Sequence, residues 1–271
     1  MISIRHVSKS FGSFVALNQV NLEIQSGQYW MIVGPNGAGK TTLLKIIATL
    51  AKPSRGEVII RVDSTSDHGR TESTERNNNQ QKEARSRRDL QQSDIRQRIG
   101  FIGHQSFLYA NLTAEENLKF YAWMYRLKDA QQQIDQMLQL VGLLERRHDL
   151  VRTFSRGMQQ RLSIGRALLT DPKIILLDEP FSGLDQHAIE NFVNLFTSLI
   201  SPDRTIIMTT HDLHLGLQLA SHFAILSKGK IVQQGLTRDF DLPSFRSLYR
   251  RSIEASTLNV KTLSPDFASH L

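Results

Sequence analysis

The chain has 271 residues, 40% hydrophobic and 22% charged, which is ordinary for a globular protein of one large or two modest domains. It contains no cysteine, and this excludes disulfides, thiolate metal sites and cysteine nucleophiles. The formal net charge of +7 is compatible with nucleic acid, anionic lipid or a nucleotide as a partner, and it does not rank them.

No apolar run approaches the roughly 18 residues that a membrane-spanning helix needs. The opening residues, from Met1 to Gly12, lack the apolar block of a secretory signal. We therefore expect a cytosolic protein, or one held at the cytoplasmic face of a membrane only through a partner.

Short apolar runs alternate with helical patterns along the chain, which is typical of a mainly parallel sheet covered by helices in an α/β fold. Residues Ile2 to Ile24 predict N-terminal antiparallel strands with a turn at Phe11 to Ser13. The strongest later strand candidates are Tyr29–Val33, Ile99–Ile102, Ile174–Leu177, Thr205–Met208 and Phe223–Leu226.

A helical pattern interrupts this alternation after the second of those later strands. Thr113 and Glu116 have the spacing of a capping box, and Ile134, Leu138 and Val141 repeat on one face. These features predict a helical subdomain at about 106–168, inserted into the core.

The segment 63–94 is rich in polar and charged residues, with Leu90 almost its only sizeable apolar side chain. It cannot bury enough surface to offset ordering entropy, which predicts a disordered insertion or, alternatively, a docking or regulatory arm. We expect one core domain over 1–240, and a C-terminal helix and tail over 241–271, with no clear pattern from Ser256 onward.

Residues 34–42 fit the pattern G-x-x-x-x-G-K-[ST] between a predicted strand and a helix that begins near Thr42. Backbone N–H groups of such a loop curl around phosphate oxygens at the positive end of the helix. We expect Lys40 to reach the β- and γ-phosphates and the Thr41 hydroxyl to bind Mg²⁺. The predicted phosphate-binding residues are Gly34, Pro35, Asn36, Gly37, Ala38, Gly39, Lys40, Thr41 and Thr42. The motif predicts nucleotide binding without specifying which P-loop family.

Two adjacent carboxylates close the apolar run Ile174–Leu177. Asp178 at the carboxyl end of a buried strand is placed to hold Mg²⁺, and Glu179 is the candidate for polarising an attacking water. The alternative is a pair of surface acids at the end of a strand. Burying two adjacent carboxylates beside a metal costs free energy, and a protein that pays this cost usually does so for a function, which favours the metal and water roles.

The run Phe154 to Arg161 leads into another predicted helix, with Ser155 as its N-cap and Gly157 allowing close backbone approach. In isolation this run indicates only the start of a helix. It lies about twenty residues before Asp178, and the order of these motifs resembles that of the ABC transporter nucleotide-binding domain over nearly the whole chain.

The resemblance implies an ATPase that uses ATP and Mg²⁺ and works as a homodimer or with a paired ATPase subunit. Ser155 and Gly157 would bind the γ-phosphate of ATP held by the opposite subunit. Leu184-Asp185 would form the D-loop, which adds Asp185 to the catalytic set, and His211 would be the switch histidine. Phe11 falls where the family stacks an aromatic ring on adenine; its alternative is a core aromatic in a turn.

Two motifs depart from the family pattern. The signature, usually LSGGQ, has Phe154, Arg156 and Met158 where the family has Leu, Gly and Gln. At the Q-loop, His104 occupies the glutamine column and Gln105 lies one place later. Either of these two residues is a candidate sensor of the γ-phosphate, since an imidazole nitrogen can accept or donate a hydrogen bond.

The Gly-His-Gln Q-loop resembles the ATP-binding subunit of the haem exporter of cytochrome c maturation. The signature is similar to that of drug and polysaccharide export ATPases. These resemblances imply an export ATPase that docks on integral membrane permease subunits, with haem, or a drug, lipid or polysaccharide, as cargo. Candidate apolar contacts for the permease are Phe107, Leu108 and Tyr109; the alternative is that they are core residues.

Two other classes of protein compete with this interpretation. A non-transport ABC ATPase acting on nucleic acid or ribosomes would suit the basic charge. Such proteins usually have tandem ATPase halves, and the insertion here lacks a basic stripe with interleaved aromatics, so we expect no direct nucleic-acid partner. A metabolic P-loop kinase would leave the run Ser155 to Arg161 unexplained.

Overall fold

The computed structural model describes residues 1–61, 95–103 and 106–261. The predicted insertion at 63–94, the Q-loop candidates His104 and Gln105, and the last ten residues lie outside the described residues.

Nine strands in the described ranges form two sheets. The strands are β1 (Ile2–Phe11), β2 (Phe14–Ile24), β3 (Tyr29–Val33), β4 (Arg55–Ile60), β5 (Ile99–Ile102), β6 (Ile174–Asp178), β7 (Thr205–Thr209), β8 (His222–Ser227) and β9 (Lys230–Leu236). An antiparallel sheet has the order β2-β1-β4. The larger sheet has the order β5-β6-β7-β3-β8-β9, and its strand pairs are parallel except β8 with β9.

The helices of the described ranges are α1 (Lys40–Ile47), α2 (Ala114–Met124), α3 (Ala130–Leu140), α4 (Arg156–Leu168), α5 (Gln186–Leu199), α6 (Leu213–Leu219) and α7 (Leu242–Lys261). Helices pack on the larger sheet, and two of them, α2 and α3, pack on each other and on α4. Short 3-10 turns span Leu144–Arg146, Val151–Thr153 and Thr237–Asp239. The mainly parallel sheet, the N-terminal antiparallel sheet and the helices between β5 and β6 confirm the predicted α/β fold class.

The order of the strands brings the motifs to one edge of the sheet. Every residue of β6 and β7 is buried, as expected for central strands covered on both faces. Because β3, β6 and β7 are parallel neighbours, their carboxyl ends meet at the same edge. The P-loop follows β3, Asp178 ends β6 and Thr209 ends β7 at that edge.

Local capping explains where the helices between β5 and β6 begin. The Thr113 hydroxyl accepts the Glu116 N–H at 3.1 Å, and the Glu116 carboxylate accepts the Thr113 N–H at 2.8 Å. Ser155 caps α4, because its hydroxyl accepts the Met158 N–H at 3.3 Å. The predicted capping box and the predicted N-cap are both confirmed.

Two predicted boundaries are wrong. Helix α1 begins at Lys40 rather than near Thr42, because Gly39 adopts a left-handed conformation (φ 105°) and is itself the N-cap. Helix α7 runs through Ser256 to Lys261, although no pattern was expected from Ser256 onward. Buried Phe245 packs α7 against the sheet, and the Ser256 hydroxyl lies 2.7 Å from that of Ser227.

None of the helices in the described part of the chain combines the length and the apolar character needed to cross a bilayer.

A buried carboxylate ties the helices between β5 and β6 together. Glu115 on α2 accepts hydrogen bonds from Arg147 at 2.9 Å and from Gln131 on α3 at 3.0 Å, and it pairs with Lys119 at 2.9 Å. The hydrogen bonds from the Arg147 guanidinium lower the pKa of Glu115 from 4.5 to about 2. The network therefore needs the ionised form of Glu115.

We expect Glu115→Gln to lower the free energy of unfolding by about 2 kcal/mol at pH 7, because it weakens several charge-assisted hydrogen bonds. The folded-state pKa is depressed, so this contribution is complete above pH 4.5 and is lost as the pH falls towards 2. Urea unfolding of both proteins across this pH range should show the difference shrinking to near zero. Glu145→Gln, at an exposed position on the neighbouring 3-10 turn, is the control. A difference that stays constant with pH would contradict this role of Glu115.

Candidate functional site

Two glycines fix the path of the P-loop between β3 and α1. A Cβ atom at Gly34 would lie 2.1 Å from the carbonyl oxygen of Leu226. One at Gly39 would lie 2.4 Å from the carbonyl oxygen of Ala16, and its φ of 105° is a conformation that L side chains rarely adopt. These two positions therefore require glycine, and the loop packs closely on the core.

The ammonium group of Lys40 lies inside the P-loop, next to the carbonyl groups of the residues that precede it. The residue is only 7% exposed, and its Nζ donates to the Gly34 carbonyl at 2.8 Å and to the Pro35 carbonyl at 3.4 Å. The same atom lies 3.4 Å from Oε1 of Glu179. The ammonium group thus stands between the P-loop and the carboxylate that follows β6.

Asp178 is buried at the end of β6 and is oriented by two hydroxyl groups. Its Oδ1 accepts from Thr41 at 3.0 Å and from Thr209 at 2.8 Å. The sequence argument did not identify Thr209. The signal for it was the buried run of β7, which ends in a threonine directly opposite Asp178 in the parallel register.

Glu179 occupies a strained backbone position beside His211. Its φ of +52° is in the left-handed region, which costs a residue with a Cβ roughly 1–2 kcal/mol. Its N–H donates to the hydroxyl of Thr209 at 3.0 Å, and its Oε2 lies 2.8 Å from Nδ1 of His211. The carboxylate is therefore held between a lysine and a histidine, and its role as the water-activating base remains a prediction.

The chemistry of these residues fits a nucleotide with Mg²⁺. The P-loop, Asp178 and Glu179 line a cavity of about 290 Å³, and Gly39 has no side chain to cap the N–H groups of the first turn of α1. Those N–H groups and Lys40 suit phosphate oxygens. The hydroxyl of Thr41 and the carboxylate of Asp178 are hard oxygen donors, as Mg²⁺ prefers.

No group of three or more His, Asp or Glu side chains in the described ranges could form a metal cage.

The aromatic ring beside the P-loop is Phe14, which lines the 290 Å³ cavity. Phe11, the residue expected to stack on adenine, is exposed, and Nζ of Lys9 lies 5.0 Å from the centre of its ring. Phe11 remains a prediction, and Phe14 is a second candidate. The sequence feature that could have identified Phe14 is its position as a second phenylalanine, on the other side of the β1–β2 turn from Phe11.

Two residues of the signature, Ser155 and Gly157, lie in a different depression, of about 770 Å³. Ser155 and Gly157 line it together with Asp185, so the structure does not bring them to the P-loop of the same chain. Asp185 caps α5 by accepting the Ala188 N–H at 2.8 Å. Asp185 therefore has a structural role in this chain, and its catalytic role remains a prediction.

The residues on either side of the Q-loop candidates, Gly103 and Ser106, line a small cavity with Asp178 and Glu179. His104 and Gln105 themselves lie outside the described residues, so the choice between them stays open.

This edge of the sheet, with its phosphate loop and paired carboxylates, is that of a P-loop nucleotide hydrolase. The family model described as ABC transporter matches residues 17–182, so the chain belongs to that family and is an ABC ATPase.

Similar proteins include both import and export ATPases. The chain is 33% identical to a sulfate/thiosulfate import ATP-binding protein, CysA, of Mesostigma viride; the match covers 90% of this chain and 64% of that protein. It is 28% identical to a Nod factor export ATP-binding protein of Cupriavidus metallidurans, over 87% of this chain and 71% of that protein. Import or uptake proteins for methionine and glycine betaine also match, each at 29% identity.

A solved structure has the same fold. The ATP-binding cassette MJ0796, in a dimeric post-hydrolysis state bound to ADP and phosphate, is 30% identical with a TM-score of 0.72. The match covers 89% of this chain and all of that one.

Proposed function

We propose that this chain is the ATP-hydrolysing subunit of an ABC export complex and works as a pair whose two nucleotide sites each combine both subunits. The observation that carries the proposal is the convergence of Lys40, Asp178 and Glu179 at one sheet edge. The signature residues Ser155 and Gly157 line a separate depression. One copy thus has two half-sites that do not meet.

Within one copy, each residue near the P-loop has a defined part in hydrolysis. Lys40 and the N–H groups of the first turn of α1 bind the β- and γ-phosphates. Thr41 and Asp178 would hold Mg²⁺, which when bound neutralises charge on the phosphate oxygens. Glu179 orients the attacking water and accepts its proton, and His211 holds the second oxygen of that carboxylate.

The second copy supplies what the first lacks. Two-fold pairing places Ser155 and Gly157 of one subunit against the γ-phosphate held by the other. The N-terminus of α4 carries both residues, so its backbone dipole favours the anion. The dimer of MJ0796 supports this arrangement.

An exposed aromatic surface next to the Q-loop is the proposed contact for the permease. We define it as Phe107, Tyr109, Phe120 and Trp123. Tyr109 is 48% exposed and Trp123 is 76% exposed, while the Phe120 ring packs edge-on against Tyr109 at 4.9 Å. Large aromatic side chains contribute most of the binding energy in many interfaces. Docking there would hold the chain at the cytoplasmic face of the membrane.

We expect Tyr109→Asp to abolish co-purification with the permease while ATPase activity stays within about twofold of the parent, because the change puts a charge in an aromatic contact outside the nucleotide cavity. Ile200→Asp changes an apolar residue of similar exposure after α5 and is the matched control. A Tyr109→Asp protein that binds the permease normally would remove this surface from the proposal.

Export is the favoured direction because Arg156 and Met158 in the signature and the His104-Gln105 pair resemble export ATPases. Haem for cytochrome c biogenesis is the favoured cargo, with a drug, lipid or polysaccharide as the alternative. Named importers match this chain as well as the named exporter does, so the direction rests on these few residues.

A further inference from the structure

Arg156, where the ABC signature usually has glycine, packs on the turn that follows Glu179. A Cβ atom built on Gly183 would lie 2.5 Å from Nη1, 2.6 Å from Cζ and 2.9 Å from Nη2 of Arg156. Because these distances are nearly equal, Gly183 lies over the flat face of the guanidinium. A side chain at position 183 would therefore require the guanidinium of Arg156 to move.

The two residues belong to different parts of the fold. Arg156 is the first residue of α4, directly after the N-cap Ser155. Gly183 lies in the turn between β6 and α5, where the Ser182 N–H donates to the carbonyl of Glu179 at 3.1 Å. The contact therefore connects the start of the signature helix with the turn that carries Glu179.

Arg156 also forms part of the wall of two cavities. One is the 770 Å³ depression that contains Ser155, Gly157 and Gly183, and the other is the 120 Å³ cavity that contains Asp178 and Glu179. Within the described ranges its guanidinium makes no hydrogen bond or ion pair. Its contact with the turn is thus made by the face of the planar group, not by its donor atoms.

We propose that Arg156 is a positioning residue that holds the turn Ser182–Leu184 against the signature helix, so that the half-site on α4 and the half-site at Glu179 move together. This inference rests on the proposed shared nucleotide sites for its effect on catalysis. The contact itself lies within one chain and can be tested without nucleotide.

The first test is amide hydrogen exchange of the chain without nucleotide. In Arg156→Ala, we expect the N–H groups of the turn Ser182–Leu184 to exchange about tenfold faster. The turn can then open without first breaking its contact with the guanidinium. Arg246→Ala, which removes an exposed arginine from α7, should leave the turn unchanged. Unchanged exchange in Arg156→Ala would overturn the proposal whether or not the chain forms a pair.

The second test separates the planar contact from the charge. We expect Arg156→Ala to lower kcat about tenfold with KM for ATP within about twofold, because Glu179 is misplaced while the P-loop is intact. Arg156→Lys should not restore kcat, since an ammonium keeps the charge and lacks the flat face. Full rescue by lysine would overturn the proposal. It would indicate that the positive charge at position 156 acts on the γ-phosphate of ATP held by the other subunit.

The third test is a double-mutant cycle with Gly183→Asn. Asparagine tolerates the φ of +72° at this position better than other side chains, so the remaining effect is the collision with Arg156. We expect Gly183→Asn to cost activity in the parent and to add little in Arg156→Ala, as contacting residues are not additive. Additive losses would contradict the contact. A wild-type chain without ATPase activity, but with the exchange result above, would instead refute the proposed function alone.

Discussion

Glu179→Gln is expected to reduce kcat by at least about 100-fold while the protein still binds ATP, because general-base catalysis contributes roughly 10²–10⁴-fold. Glutamine has nearly the shape of glutamate and can still interact with His211, which lies 2.8 Å from the carboxylate. It cannot accept a proton from water. For this variant, steady-state assays should therefore show the loss of ATPase activity, while a nucleotide-binding titration should show that ATP still binds.

The same variant should trap the closed pair, since ATP binds and is not consumed. Light scattering with Mg-ATP is expected to show a dimer for Glu179→Gln and a monomer after ATP is replaced by ADP. Glu190→Gln removes an exposed carboxylate from α5 and should behave as the parent in both assays. Turnover near the parental rate in Glu179→Gln would mean that another group activates the water.

Lys40→Ala is expected to weaken ATP binding by about 100-fold, because each charge-assisted hydrogen bond to a phosphate contributes roughly 1.5–3 kcal/mol. Lys40 is buried against the Gly34 carbonyl, so its ammonium is already positioned for the phosphates. Isothermal titration calorimetry measures the loss. Lys45→Ala, on the exposed side of the same helix α1, removes the same charge and should bind ATP normally. Equal affinity in the two variants would contradict the role of Lys40.

The sequence predicts the catalytic edge well because its parts are local. A glycine-rich loop after a buried strand and a carboxylate at the end of another strand each occupy a fixed position in a parallel sheet. Five strand candidates correspond to β3, β5, β6, β7 and β8, and each of these begins and ends within one residue of the predicted bounds. The hydrogen bond from the Thr41 hydroxyl to Asp178 then follows from the order of the strands.

Features that depend on contacts distant in the sequence are not predicted. β4 and β9 are strands whose residues are exposed or only partly buried, and neither is apolar over its whole length. Helix α7 packs on β8 through Phe245, whose ring contacts Phe223, a residue distant in the sequence. The contact between Arg156 and Gly183 joins residues 27 positions apart, and no motif links them.

The central claim is that a nucleotide site is shared between two copies, and mixing two inactive variants tests it most directly. Lys40→Ala spoils the P-loop half-site. Gly157→Asp puts a negative charge in the other half-site, where a Cβ meets nothing within 4 Å, so the fold should tolerate it.

Each variant alone should be nearly inactive. Half of the randomly formed pairs are mixed, and each mixed pair has one intact site, so the equimolar mixture should regain about a quarter of parental ATPase activity. An activity no greater than the average of the two variants measured separately would contradict the shared site.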